Sequence, residues 1–535
     1  MPKGRWIALA AVAAPLLLAQ SAAAGSGPVT VANGGFEAGG AATDRPVAWQ
    51  SSGRTSADRT EAGGHTGAFQ LTHSSTTPFE VETSQRIGHV RKPGWYTLRA
   101  WVRQSLGDND SYIALRGCGG GDQRAYVPAL GEWLQIVVSA RIQSRHCTVL
   151  LHTRAAGGEW TNFDDVELVP GRAQLSVFGA DVSSLKKSED LGGVYRDRYG
   201  RRGDALRLLK SQGMNWIRLR TWVDPADGYH DTDELLYMAR RAKATGLKLL
   251  VDFHYSDFWA DPGKQWTPAA WQGQSFTDLK QSFVHYTRDV VRKLVAQDTP
   301  PAMVQLGNEI NPGMLWDYGA TWTGCSSADD GLGGTREECH TENWPQLAEL
   351  LTAGYETVKS VSPHTKVMLH LAEGGQNGTF RWWFDNVTTR GVPFDVIGAS
   401  FYGFWHGTLA QLQFNLNDIT QRYDKDVIVA ETAYPFTVDD EEGLEVNIIP
   451  RTAPLIPGYP ATPRGQADWL RDLQAIVRAV PGGRGLGSFW WEATWTAVEG
   501  NGWSPPDPNS INGWENQALF DFQDRLLPAG YEWRP

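Results

Sequence analysis

The chain is poor in several residue types that would place it in large protein classes. Only four of its 535 residues are cysteine, and no C-x-x-C spacing occurs, so a thiolate zinc site is poorly supported. Charged residues make up 20%, somewhat below the usual level, no basic run is present, and the net charge is −11. Neither nucleic acid nor an anionic membrane is an expected partner of such a surface. Beyond the N-terminus no stretch is apolar and long enough to span a bilayer. No G-x-G-x-x-G follows the first strand of the second half, which argues against a dinucleotide fold. The 58 glycines and 29 prolines fall short of a low-complexity chain, and a 41% hydrophobic content excludes disorder.

What is abundant is tryptophan, with 24 residues. Some must fill cores, but flat apolar rings are also platforms on which sugars stack. The N-terminus reads as an export signal. Lys3 and Arg5 precede an apolar run from Ile7 to Ala19, and Ser21-Ala22-Ala23-Ala24 supplies small residues for cleavage after Ala24. A secreted protein, free of a membrane anchor, is therefore expected. The four cysteines fit an oxidising compartment. Of their three connectivities, Cys118–Cys147 with Cys325–Cys339 keeps each bridge inside one domain, closing loops worth on the order of 3 kcal/mol each.

The chain changes character near residue 170. Residues 26–169 carry alternating or apolar runs such as Trp95–Val102, Trp133–Val138, Thr148–His152 and Asp165–Val169, separated by glycine-rich breaks. They predict an all-β sandwich over 25–170, after a signal peptide at 1–24. From residue 173 to the end, short apolar strands alternate with amphipathic helices. The strands are predicted at 177–181, 215–219, 248–252, 303–307, 366–370, 395–400, 427–430 and 486–490. Helices are predicted at 203–212, 233–245, 276–295, 344–361, 409–422 and 466–479. The expected fold is α/β, a (β/α)8 TIM barrel with enlarged loops; an open doubly wound sheet is the alternative.

A barrel carries its active site at the C-terminal strand ends. The residues there are Arg218 after strand two, Asp252 to Trp259 after strand three, Asn308-Glu309 after four, Tyr402 after six, Glu431 at seven and Trp491 after eight. Strands four and seven face one another, so Glu309 and Glu431 are the candidate catalytic pair. Glycosidic hydrolysis needs one carboxyl to protonate the leaving oxygen and a second to attack the anomeric carbon. Asn308 is placed to bond a sugar 2-hydroxyl, Tyr402 to bond the nucleophile, and Arg218 to keep Glu431 ionised. A lone glutamate at a strand end more often forms a salt bridge; two on facing strands, one preceded by Asn, favour catalysis.

The segment VQLGNEINPG at 304–313 resembles the acid/base segment of glycoside hydrolase family 53, the endo-β-1,4-galactanases. So do FGADVSSL at 178–185, GMNWIRLRTWVDP at 213–225, LLVDFHYSDFWADPGKQWTPAAW at 249–271, FDVIGASFYGFWHGTL at 394–409, VIVAETAYPFT at 427–437 and NQALFDF at 516–522. The resemblance implies a retaining enzyme for the galactan side chains of pectin, with Glu309 as proton donor and Glu431 as nucleophile. It needs no cofactor for catalysis. Trp259, Trp266, Trp405 and Trp491 become candidate sugar platforms, and His254 and Asp257 candidate substrate contacts. Rival readings are a barrel mannanase or xylanase, and a sugar-binding protein with an inactive barrel.

Bacterial members of that family hold calcium between the loops after strands seven and eight. The corresponding segment here is acidic, and Asp439, Glu441 and Asn447, with Asp507 from the other loop, are the candidate ligands, against a solvated acidic loop. The inserted segment at 321–343, with Cys325 and Cys339, is expected to shape one end of the cleft. In the front module, VANGGFE at 31–37 and FDDVEL at 163–168 resemble the terminal strands of carbohydrate-binding jelly rolls, family 61 being nearest given the attached barrel. Such modules commonly share a structural calcium, here between Glu37 and Asp165 with Asp164 as the alternate; ordinary strand-end carboxylates are the competing reading. Trp49, Trp95, Trp101, Trp133 and Trp160 are candidate platforms, at least two of them core. A galactan-binding monomer is expected.

Overall fold

The computed structural model describes residues 31–87, 93–107, 109–119, 121–143, 147–329, 334–439, 447–451, 453–504 and 512–533. The export segment lies outside these. Eight parallel strands close a barrel in chain order: Val177–Asp181, Trp216–Thr221, Lys248–Phe253, Met303–Leu306, Lys366–Leu371, Val396–Ser400, Asp426–Thr432 and Gly485–Trp490. All eight expected strands are present, so the barrel and not the open sheet is correct.

The strands are apolar on both sides because helices cover their outer faces. Inside, one side chain from each strand meets in a closed plug: Val177, Trp216, Leu250, Met303, Met368, Val396, Ile428 and Phe489. Strand side chains alternate in direction, so residues two places further along point inward as well, toward the C-terminal mouth. There the sequence turns polar, with Arg218, Asp252, Gln305 and His370. An apolar floor thus supports a polar layer.

Helices Thr232–Thr245, Phe276–Ala296, Trp344–Val361 and Leu409–Tyr423 pack outside, each with a capping side chain at its N-terminus. Two helices were not foreseen: Leu185–Asp190, which is only six residues long, and Asn377–Thr389. The inserted segment is a β-hairpin, Gly324–Asp329 with Thr335–His340, in which Cys325 lies opposite Cys339 and is bonded to it. Cys118 is bonded to Cys147.

The front module is a sandwich of two five-stranded antiparallel sheets. Strand Gly94–Gln104 shows why: residues 96, 98, 100 and 102 face the core while Arg99, Trp101 and Arg103 face outward. Its neighbour Leu134–Ile142 is an edge strand. Gln413 of the barrel caps that edge, its side-chain oxygen accepting from Gln135 N and its nitrogen donating to Gln135 O, both at 2.8 Å. Leu134 is buried in the barrel's main core. A polar cavity of about 1160 Å³ lies beside this junction.

Candidate active site

Glu309 stands just past strand four, where the backbone reverses sharply. Gly307 has φ 79°, and a Cβ there would lie 2.5 Å from Ile310 Cγ2, so glycine is required. Glu309 itself has φ 49°, an unfavourable region for a residue with a Cβ, as is found where a side chain must be aimed. Glu431 closes strand seven. Both carboxyls line one cleft of about 1030 Å³ at the barrel mouth.

The two glutamates have unequal surroundings. Arg218 is 1% exposed, and its Nη2 lies 2.8 Å from Glu431 Oε1 and 2.8 Å from Asp252 Oδ2, with Nη1 2.8 Å from Asp181 Oδ2. Tyr402 donates its hydroxyl to Glu431 Oε2 at 3.0 Å. Burial, then the Glu431 charge, pushes Glu309 well above the ordinary carboxyl range. Burial also raises Glu431, but Arg218 opposes it, so Glu309 is the carboxyl that keeps its proton while Glu431 carries the charge. Burial works against a charge on Asp252 too, yet Arg218 and His254 outweigh it and hold that carboxyl low.

The other expected site residues divide. Arg218 binds the nucleophile and two aspartates, as the strand-end reading allowed, rather than presenting a free guanidinium to substrate. Asn308 lines the cleft with Oδ1 2.9 Å from Arg218 Nη2 and Nδ2 donating to Ala260 O at 2.8 Å, which leaves its second amide hydrogen without a partner among the described residues. His254 also lines the cleft, but Nε2 meets Asp252 Oδ2 at 3.0 Å and Nδ1 accepts from Trp222 Nε1 and Ala260 N. It braces Asp252. Asp257 is not among the cleft-lining residues; its carboxylate accepts from Asp224 N and Ala269 N and ties two loops together. Trp259, Trp405 and Trp491 line the cleft, Trp405 being 50% exposed. Trp266 is buried beside Trp316 and is core.

Sequence reasoning assigned no role to Asp181, Asp252, Gln305, His370 and Ser400, which complete the polar layer beneath the pair. Their signal was a polar side chain in an otherwise apolar strand, which costs stability unless it has work or partners. Trp495, Trp503 and Trp514 add to the cleft wall. No described hairpin residue lines the cleft; the hairpin packs instead on the loop side, with Arg336 over Trp266 at 5.0 Å and His340 stacked on Trp316 at 4.1 Å.

Of the expected calcium ligands beside the barrel, Glu441 and Asp507 lie outside the described residues. Asn447 is buried and its Oδ1 has no hydrogen-bond partner among the described residues, as suits a metal-facing oxygen. Asp439 pairs instead with Arg451 at 2.8 Å. In the sandwich, Glu37 Oε1 accepts from Ala68 N and Phe69 N, and Asp165 meets His65 Nδ1 at 2.8 Å and Thr66 Oγ1 at 2.6 Å. These oxygens are engaged by N–H and O–H donors. Asp164, buried and pushed up to about 7 by that burial, accepts from His65 N at 2.7 Å.

Of the sandwich tryptophans, Trp49 is core, packed on Phe36. Arg172 covers Trp95 at 4.1 Å, and His65 stacks on Trp101 at 3.8 Å. Trp133 and Trp160, both half-buried, flank Arg103 at 4.6 and 5.9 Å.

Comparison with known proteins places the barrel among relatives. The model of glycosyl hydrolase family 53 matches residues 177–530. An uncharacterized protein of Niallia circulans is 44% identical over 359 residues, spanning 67% of this chain and 93% of its own length. An endo-beta-1,4-galactanase of Bacillus subtilis (strain 168) is 33% identical over 398 residues, spanning 68% of this chain and 86% of its own. The solved GH53 catalytic domain of Ignisphaera aggregans superposes with a TM-score of 0.60 at 38% identity, covering 68% of this chain and 96% of that one.

Proposed function

The chain belongs to glycosyl hydrolase family 53, and from that premise we propose that it is a secreted, monomeric endo-β-1,4-galactanase acting on the galactan and arabinogalactan side chains of pectin with retention. The observation that carries this reading is the unequal pair at the barrel mouth, one glutamate held by Arg218 and Tyr402 and the other shielded without a cation of its own.

Glu431 attacks the anomeric carbon from one face while Glu309 gives its proton to the departing glycosidic oxygen. The C–O bond breaks, and a galactosyl ester forms on Glu431. Water then enters, Glu309, now ionised, takes one of its protons, and the hydroxyl displaces Glu431 from the anomeric carbon. Two inversions return the β configuration. Arg218 keeps its charge throughout, and balances Glu431 as leaving group in the second step. Trp259, Trp405 and Trp491 offer apolar faces to the galactosyl rings on either side of the cut. The sandwich holds the polymer, and Trp133 and Trp160, flanking the outward-facing Arg103, are the supporting surface.

The test measures reducing-end release from galactan, mannan and xylan, and follows the anomer first formed by NMR. Galactan cleavage into internal fragments with β product is expected. Release from mannan or xylan alone, or an α product, overturns the proposal. Glu309→Gln and Glu431→Gln are each expected to lower turnover on galactan by several orders of magnitude with the fold retained, as circular dichroism would report; near-wild-type turnover in either removes its assigned role.

A further inference from the structure

The two-glutamate mechanism leaves a further buried glutamate at the barrel mouth without a task. Glu492 follows strand eight, is fully buried, and has φ 50°, the same unfavourable region that Glu309 occupies. Its carboxylate accepts from Ser184 N at 3.3 Å and Ser184 Oγ at 3.0 Å, and forms an ion pair with Arg220 Nη1. Arg220 stands two places beyond Arg218 and four beyond the floor residue Trp216, so strand alternation points all three into the barrel, with Arg220 nearest the mouth. Its Nη2 donates to Ser184 Oγ at 3.2 Å and to His230 Nε2 at 3.0 Å. A guanidinium can only donate, so His230 Nε2 is the bare nitrogen of that ring. These anchors fix the plane of the guanidinium, and its Cζ lies 4.0 Å from the centroid of the Trp259 ring. Trp259 is half-buried and lines the cleft. Its Nε1 donates to Trp503 O at 3.0 Å, and the Trp222 ring meets it edge-on at 5.5 Å. A cation, a carbonyl and a neighbouring indole thus hold one ring.

We propose that Arg220, anchored by Glu492, is a positioning residue for Trp259, holding its ring in the orientation that receives a galactosyl unit. This inference rests on Trp259 being a sugar platform. A buried ion pair is weak support for stability, since apolar side chains of like volume serve as well or better. What the pair supplies that they do not is a fixed direction for the guanidinium. An indole free to turn loses that freedom when a sugar stacks on it, whereas a ring already held has little to lose. The anchor therefore acts on binding rather than on bond cleavage. In keeping with this, neither Arg220 nor Glu492 shares a hydrogen bond or ion pair with Glu309 or Glu431 among the described residues.

The test measures KM and kcat on a soluble β-1,4-galacto-oligosaccharide in two variants. Arg220→Met with Glu492→Gln leaves neither charge buried alone. Arg220→Lys keeps a cation for Glu492 but lacks the flat guanidinium. Each is made in the wild-type and in the Trp259→Ala background, and circular dichroism checks the fold; either variant that folds suffices. KM is expected to rise about fivefold while kcat stays within about twofold of wild type. In the Trp259→Ala background the same changes should add nothing to KM, because the anchor then has no ring to hold. An unchanged KM, or an equal rise without Trp259, overturns the proposal. Trp259→Ala alone separates the two claims. A wild-type KM in that variant overturns the platform reading itself, whereas a raised KM there, with none in the Arg220 variants, overturns only the positioning role.

Discussion

Glu309 is paid for in stability, and its cost depends on pH. In the unfolded chain it titrates near 4.3, whereas in the folded protein burial and Glu431 hold its proton on to much higher pH. Below the unfolded value both states are protonated and the residue is neutral in the balance. As pH rises past it, the unfolded state releases a proton that the folded state retains, so stability falls. A glutamine has no such penalty. Glu309→Gln should therefore melt above the wild type at neutral and basic pH, with the gap closing below about pH 4; thermal melts across that range check it, and a constant gap would mean that ionisation is not its source. The position of this residue was legible in Asn308-Glu309 at the end of an apolar run. Its protonation was not, because it is set by burial and by the charge on Glu431, which is distant in sequence and meets it only across the folded barrel.

Among the elements, the barrel strands were legible and two helices, Leu185–Asp190 and Asn377–Thr389, were not. Phe380, Trp383, Phe384 and Val387 form an apolar stripe at helical spacing in Asn377–Thr389, buried against the barrel. Aromatic and β-branched residues fill that segment, and their weak helix propensity masks the stripe until packing is counted. The hairpin was read as a bridged loop and expected at the cleft. It is a two-stranded element on the outer side, where Arg336 and His340 find aromatic partners that local sequence does not name. Isolated hairpins are marginal, so the Cys325–Cys339 bond, separated by 14 residues, is expected to contribute on the order of 3 kcal/mol to local order. Replacing both cysteines with serine should expose the 324–340 segment to proteolytic nicking while leaving activity on short oligomers unchanged. Limited proteolysis with a parallel assay reads both, and lost activity would put the hairpin in the substrate path after all.

At the scale of the whole molecule the sandwich and barrel meet through Leu134 and the Gln413 clamp, so deleting the sandwich would uncover barrel core and confuse stability with binding. Point changes around the outward-facing Arg103 are the cleaner probe of a polymer-holding role. Arg103→Ala with Trp133→Ala is expected to weaken retention on insoluble galactan, as a pull-down would show, and to leave hydrolysis of soluble oligomers at the wild-type rate. Retention equal to wild type would move the binding surface elsewhere. The five tryptophans of the module illustrate the limit of reading a sequence: composition marks all five alike, yet one is core, two are covered by His65 or Arg172, and two flank a guanidinium.

The order of the barrel strands and of all but two helices, and a glutamate at each of two facing strand ends, were determined by the sequence alone, while the cysteine pairing was favoured among three on the premise of two domains. Each follows from patterns a few residues long, set by side-chain alternation, helical spacing and chain distance. Closure of the barrel decided the rest. It brought Asp181, Arg218, Asp252, Gln305 and His370 from five separate strands into one layer above an apolar floor. Partners that lie tens to hundreds of residues apart meet only when the cylinder shuts, and a buried charge has no defined partner, and so no defined protonation, until it does.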